Sequence, residues 1–285
     1  MRGAGVESRA PWLPRGVRRP FRLLHTSDVH LGAYDRGSGR DSPAHRAAVE
    51  ENMRAVIDVG LRERVDLVLI AGDFFDNARV NEETLRFAAE QIARAEVPVV
   101  IGPGNHDHVG DNSVYDRLDL TELAQNLVIQ RSEEGETTAI EDLDIEVWGR
   151  AHTERSSDFL PLAHPPPRGE AGWQLAVGHG HFIHPRAVLR HSFHIREEEL
   201  AESRRDYVAL GHWEQLTRVA AGPHTTAAYS GAPQSLAVGS GLGGRVLLVD
   251  FSAAGDVRLT AHSIEGAEPL RHDEIPLLAG APGRV

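Results

Sequence analysis

Cysteine is absent from this 285-residue sequence, which excludes disulfides, thiolate metal sites and thiol nucleophiles. Any metal bound here must be held by His, Asp, Glu or Asn. Long apolar runs are missing too, and none approaches the roughly 20 residues needed to cross a bilayer. A signal-peptide core is also lacking, because Pro11, Pro14 and Pro20 interrupt the N-terminal segment. Arg18-Arg19 could open a twin-arginine signal, but Phe21 to His25 is too short and polar to follow it as the apolar region. A cytoplasmic location with no membrane association is expected. Basic charge is in deficit as well, with 30 Lys and Arg against 42 Asp and Glu for a net charge of −12. That balance argues against gripping nucleic acid by surface charge alone. It is compatible with an enzyme that meets phosphate through bound cations, since such cations need clustered carboxylates.

What is present is ordered. Residues 1–20 scatter arginines among Gly and Pro without periodicity and read as a disordered basic extension. From Phe21 the pattern predicts a strand ending at Asp28-Val29-His30, then a helix capped at Ser42 and running to about Arg64. A buried strand over 66–71, a helix from Glu82 to Ala95 capped by Asn81, and a strand over 97–101 follow. Strand–helix–strand–helix–strand is an α/β unit. The second half is richer in strands, with candidates at 126–130, 144–149, 173–178, 206–210, 225–229, 245–251 and 256–262 and a helix at 197–204. No internal repeat is visible. Residues 21–264 read as one domain, and 265–285 as a Pro- and Gly-rich tail.

The strong polar clusters all follow predicted strands, and the carboxyl ends of strands are where open α/β sheets bind ligands. Asp28 and His30 end the first strand, on one face. Asp73 and Asp76 lie in Gly72-Asp73-Phe74-Phe75-Asp76 after the second. Asn105, His106 and Asp107 follow the third. His179 follows the strand ending at Gly178, and His212 the one ending at Gly211. In Gly178-His179-Gly180-His181 either imidazole could be presented; His179 is favoured because it directly follows the apolar strand. His152, His184, His191, His194 and His224 have no such context and read as structural or surface residues.

That ordered set, Asp-x-His, Gly-Asp-x-x-Asp, Gly-Asn-His-Asp, a strand-end His and Gly-His-x-Glu, resembles the calcineurin-like metallophosphoesterase family over roughly residues 21–262. Asp206 to His212 and Tyr229 to Leu236 resemble its SbcD-type DNA repair exonuclease branch most. The resemblance implies a four-layer α/β/β/α sandwich and two divalent cations bridged by Asp73. One would take Asp28, His30 and residue 214, and the other Asn105, His179 and His212. Such imidazole and oxygen donors suit Mn²⁺, with Fe or Zn²⁺ as alternatives, better than Mg²⁺. His106 would sit beside the phosphate and stabilise the transition state or protonate the leaving oxygen. Asp107 would orient an imidazole, and Asp76 would lie just behind the metal ligands or near substrate. The family's second histidine is Glu214 here, which exchanges a neutral ligand for an anionic one. The implied substrate is a phosphodiester, DNA with an ATPase partner of the SbcC type in the favoured version. SbcD-type enzymes carry a further C-terminal capping region that is not expected here, so a cyclic nucleotide or nucleotide conjugate is the alternative substrate. A non-catalytic relative that kept the fold is a third.

Overall fold

The computed structural model describes residues 18–33, 43–153, 158–183, 193–234 and 244–278. Two seven-stranded sheets carry the architecture. In the first, β1 (Phe21–Thr26), β2 (Leu67–Ala71), β3 (Val99–Gly102) and β4 (Leu127–Ile129) run parallel. The antiparallel strands β13 (Arg245–Phe251), β14 (Val257–Ser263) and β15 (Leu270–Arg271) extend it beyond β1. The parallel centre of the second sheet is β6 (Ile145–Gly149), β7 (Trp173–His179), β10 (Tyr207–Gly211) and β12 (Thr226–Tyr229). On one side β5 (Glu136–Ile140) flanks β6; on the other β11 (Thr217–Val219) and β16 (Leu277–Leu278) follow β12. A two-strand ribbon pairs β8 (His181–Phe182) with β9 (His194–Ile195).

Strand alternation sorts the side chains into three apolar layers. In β1, Leu24 turns to the helices while Leu23 turns to the other sheet. The outer layer of the first sheet is covered by α1 (Pro43–Glu63), α2 (Glu82–Arg94) and α3 (Leu120–Leu123), with Met53, Val56 and Ile57 of α1 and Leu85, Ala88 and Ile92 of α2 buried there. The middle layer joins the sheets through Leu67, Leu69 and Val100 against Val147, Leu175 and Val177. Phe21 stacks on Phe251 at 4.1 Å, and Trp173 of the opposite sheet meets Phe251 edge-on at 4.9 Å. The third layer packs α4 (Glu197–Ser203) through Leu200 onto Val208 and Leu210. The result is the four-layer α/β/β/α order that the sequence leads one to expect.

Local signals account for most of these elements. Asn81 caps α2, its side chain accepting from the Thr84 N–H at 2.8 Å, as its position before the helix predicts. The cap expected at Ser42 lies outside the described residues.

Both chain ends differ from expectation. Arg18 is buried, pairs with Asp206 at 2.9 Å and lies over the Trp173 ring, so residues 18–20 pack onto the domain rather than belonging to a loose extension. The expected tail also enters the fold: Leu270–Arg271 joins the first sheet, Leu277–Leu278 the second, and Ile275 between them is buried in the middle layer. Two-residue strands carry too little periodicity to be seen in the sequence. No helix among the described residues is long and apolar enough to cross a membrane.

His25 points into the middle of the molecule, where its Nδ1 lies 2.8 Å from the Tyr207 hydroxyl. Burial depresses its pKa to about 3, so it stays neutral in the fold. In the unfolded chain it titrates at its ordinary value near 6.5. Between those values the unfolded state binds the extra proton, so this histidine makes stability fall as pH is lowered from about 6.5 to about 3, by up to about 1.4 kcal/mol per pH unit. Urea midpoints measured across that range should therefore fall less steeply with acid for His25→Asn than for the parent chain. An unchanged slope would remove His25 from the acid-sensitive set.

Candidate metal centre

The carboxyl ends of β1, β2 and β3 meet those of β7 and β10 on one edge of the sandwich, and each delivers polar side chains to the same place. The loops are tied by backbone bonds: the Asp28 N–H donates to the Gly72 carbonyl (3.0 Å), and the His30 N–H to the Asp73 carbonyl (3.0 Å). The second sheet joins through His179, whose Nδ1–H donates to the Ala71 carbonyl (2.8 Å), and through the His212 N–H, which donates to the Asp28 carboxylate (3.0 Å). Because a carbonyl only accepts, the His179 proton on Nδ1 is fixed, and Nε2 is the nitrogen turned to the centre, where, against burial, the nearby Asp73 carboxylate raises the ring's pKa to about 9 and a cation would take the place of the Nε2 proton.

Four of these residues have left-handed backbone: Asp28 (φ 54°), His30 (53°), Asp73 (51°) and His212 (95°). Side chains other than glycine adopt this region at a cost of about 1–3 kcal/mol when it is strained. Such outliers concentrate at functional sites, where the surroundings hold them. Gly104 and Gly211 permit the closeness. A Cβ at Gly104 would collide with the Asp73 carboxylate, and one at Gly211 with the Ala71 carbonyl and the His179 ring.

Asp73 is central. Its Oδ1 accepts from the His106 N–H at 2.9 Å, while Oδ2 lies 3.2 Å from His179 Nε2 and 3.9 Å from His30 Nε2. Burial opposes its charge, but the imidazoles of His179, His30 and His106 outweigh that and hold it well below the usual carboxylate range. Burial raises Asp28 instead, against the pull of His179. Two compact groups share the Asp73 carboxylate, one with Asp28 and His30, the other with His179 and His212. Each could hold a divalent cation. Asn105 supports this fit. Its Oδ1 is buried and accepts no hydrogen bond, and an acceptor left so is costly unless a cation or donor meets it.

Of the residues expected at the site, Asp28, His30, Asp73, His179 and His212 come together, with Asn105 and His106 on the adjoining loop. Asp76 belongs with them: its carboxylate lies 3.3 Å from His30 Nδ1, and its carbonyl accepts from His106 Nδ1–H at 2.7 Å. It therefore orients two imidazoles, and His30, Asp76 and His106 form a third group of converging donors.

Two expectations are corrected. Among the described residues Asp107 hydrogen-bonds to no imidazole. Its buried carboxylate accepts from the N–H groups of Gly104 (2.7 Å), Asp73 (3.1 Å), Phe74 (2.8 Å) and Phe75 (3.3 Å) and from the Tyr115 hydroxyl (2.6 Å). It pins the second and third loops together, which its place beside Asn105 and His106 does not reveal. Glu214 is exposed and joins none of the groups of converging donors among the described residues. Its carbonyl instead accepts from the Ala232 N–H at 3.2 Å.

Residues set aside in the sequence also take part. His152 is buried behind His179 and donates from Nε2 to the His179 carbonyl at 2.8 Å. Burial depresses it to about 3, so it is a neutral support for the β7 end. His181 does not compete with His179 but stands beside it, with Nε2 3.0 Å from His212 Nε2. Its spacing in Gly-His-Gly-His is the signal for it. His184 and His191 lie outside the described residues.

Comparison with known proteins decides the family. The family model of calcineurin-like phosphoesterases matches residues 21–215. The chain belongs to the calcineurin-like phosphoesterase family. The family is one of metal-dependent phosphoesterases that work with two metal ions. Among curated relatives, the DNA double-strand break repair protein Mre11 of Methanopyrus kandleri is 25% identical over 76% of this chain and 49% of its own length. The SbcD component of the SbcCD nuclease of Rhodobacter capsulatus is 33% identical over 30% of this chain and 22% of its own length. The matches thus span half or less of these relatives. A dimetal phosphatase from Danio rerio has the same fold, with TM-score 0.55 at 12% identity over 88% of this chain and 98% of its own.

The role of Asp107 is open to a direct check. Asp107→Ala leaves four loop N–H groups and the Tyr115 hydroxyl without an acceptor, and should lower unfolding stability by about 3–5 kcal/mol. Chemical denaturation measures this, and a loss under 1 kcal/mol would contradict a structural role.

Proposed function

We propose that the chain hydrolyses phosphodiesters at a dinuclear centre in which Asp73 is shared, with Asp28 and His30 on one side and Asn105, His179 and His212 on the other. The observation that carries this reading is the Asp73 carboxylate, 3.2 Å from His179 Nε2 and 3.9 Å from His30 Nε2, beside the orphaned Asn105 oxygen. Two divalent cations held there would supply deprotonated water near neutral pH and neutralise charge on the phosphate. Imidazole mixed with oxygen donors suits Mn²⁺, then Fe or Zn²⁺, better than Mg²⁺.

The chain's own groups do the rest. Asp73 and Asp28 would bring the negative charge that holds the cations. His179 is aligned by the Ala71 carbonyl, so its Nε2 needs no reorientation. His106 is held by the Asp76 carbonyl through Nδ1, which leaves Nε2 to meet a substrate oxygen; when the ring is the imidazolium, Nε2–H places its proton on the departing alkoxide and the ring is left neutral with its proton on Nδ1.

DNA ends are the favoured substrate, with an ATPase of the SbcC type as partner. The support is the likeness to Mre11 over 76% of the chain. A small phosphodiester such as a cyclic nucleotide or nucleotide conjugate is the second reading, favoured by the net charge of −12, which repels a polyanion.

End-labelled linear DNA incubated with Mn²⁺, beside bis-p-nitrophenyl phosphate, separates the two readings. Degradation of both supports the nuclease; hydrolysis of the small diester alone supports the second. His106→Ala should keep both metals while turnover drops about a hundredfold or more, and loss of metal would reassign it as a ligand. Asp73→Asn should lose metal and activity together, as read by elemental analysis of the desalted protein. Retained activity would remove Asp73 from the centre.

A further inference from the structure

Every Phe, Tyr and Trp among the described residues is buried except Trp213. Trp213 is half-buried, and it follows His212 directly at the margin of the candidate centre. A single apolar side chain in contact with water is ordinary. This one, however, is held as a loose surface residue is not, and the reading above gives it no task.

The indole plane is fixed from two sides. One face lies on Tyr229, with ring centroids 4.6 Å apart and planes 13° from parallel. Tyr229 is fully buried, and its hydroxyl is pinned, donating to the Gly180 carbonyl (2.6 Å) and accepting from the Phe182 N–H (2.7 Å). The indole edge is tied as well, Nε1–H donating to His181 Nδ1 at 2.7 Å. Solvent therefore reaches the ring from the side turned away from Tyr229. Trp213 is a preset apolar plane beside a polar centre.

Its position suits a nucleotide. His181 stands between the indole edge and the centre, with its Nε2 3.0 Å from His212 Nε2. One five-membered ring thus separates the aromatic plane from the histidines of the centre. In a nucleotide, one five-membered sugar separates the phosphate from the base. A phosphate at the centre would bring its base to Trp213. Every nucleobase has a π-face, and a plane already held in place loses little freedom when a base stacks on it. Stacking also needs no positive charge. A protein with net charge −12 is poorly equipped to draw in a polyanion through basic side chains, and an uncharged contact to the base avoids that penalty.

We infer that Trp213 is a specificity residue that stacks the base of the nucleoside esterified to the phosphate at the centre. The inference rests on the dinuclear reading above. It narrows the substrate class to nucleotide phosphodiesters whose base at the scissile position is free of a duplex stack.

Nucleoside monophosphates, the products of such a cleavage, carry the test. Zn²⁺-loaded protein, its metal counted by elemental analysis, is titrated by calorimetry with thymidine 3′- and 5′-monophosphate and with 2-deoxyribose 5-phosphate, which lacks the base. The parent should bind the better nucleotide about tenfold or more tightly than the abasic phosphate. Trp213→Leu still covers Tyr229 but offers no π-face, and should bring that ratio close to one; Trp213→Phe should keep most of it. A Trp213 that only packs on Tyr229 would weaken both phosphates alike when replaced and leave the ratio unmoved. In the ¹⁵N-labelled parent, the Trp213 indole N–H resonance should move more with the nucleotide than with the abasic phosphate, a readout that needs no variant. Equal binding of the two by the parent, binding of neither, an indole resonance that answers both alike, or an unmoved ratio in folded Trp213→Leu overturns the inference. Zn²⁺ uptake beside any of these leaves the dinuclear centre standing, whereas a parent that takes up no metal overturns both.

Discussion

Around Asp73, three loops of one sheet and two strand ends of the other are brought within hydrogen-bonding reach, and the rest of the molecule is arranged so that this can happen. A buried anion is tolerable only when donors or positive charge surround it. Here the donors come from His106, with His179 and His30 close by, and each stands on a different strand end. The middle apolar layer sets the spacing between sheets, and so the distance from the β2 end to the β7 end. The aromatic contact of Phe21, Phe251 and Trp173 locks that spacing at the opposite end of the strands.

The site also stores strain. Left-handed backbone at Asp28, His30, Asp73 and His212 has to be held by something, and the structure shows what holds it. The Asp28 and His30 N–H groups bond to the loop after β2, that loop is clamped by Asp107, and His212 is tethered to the Asp28 carboxylate. The clamp and the strained donors are one assembly. Asp107 therefore braces the loop after β2, against which the Asp28 and His30 backbones are held.

Much of this was legible in the residues. Short apolar runs followed by Gly and acidic or imidazole side chains gave the parallel strands and put the polar groups at their carboxyl ends. Asn81 announced the start of α2. What escaped the reading has a common cause. The partners of Asp107 and His152 are backbone groups of other loops, and sequence spacing carries no information about those. The strands over 217–219, 270–271 and 277–278 are too short to show a period, and their place is set by the neighbours they complete. Glu214 sits where a ligand would be expected by order along the chain, but the turn after His212 carries it outward. Trp213 and His181 meet only because β8 and the β10 end lie side by side.

Pairing of β1 with β13 sets Phe21 opposite Phe251 and Leu24 opposite Leu248, joining segments more than two hundred residues apart. Loop-closure entropy makes such a junction slow to form. During vectorial synthesis every side chain of the candidate centre emerges before β13 does, yet β1, which leads into the loop bearing the first two of them, lacks one of its two neighbours until β13 arrives. Until then one edge of β1 is unpaired, a template for another chain. The centre is thus encoded early and completed late, and the interval between is when this protein most needs protection from its own copies.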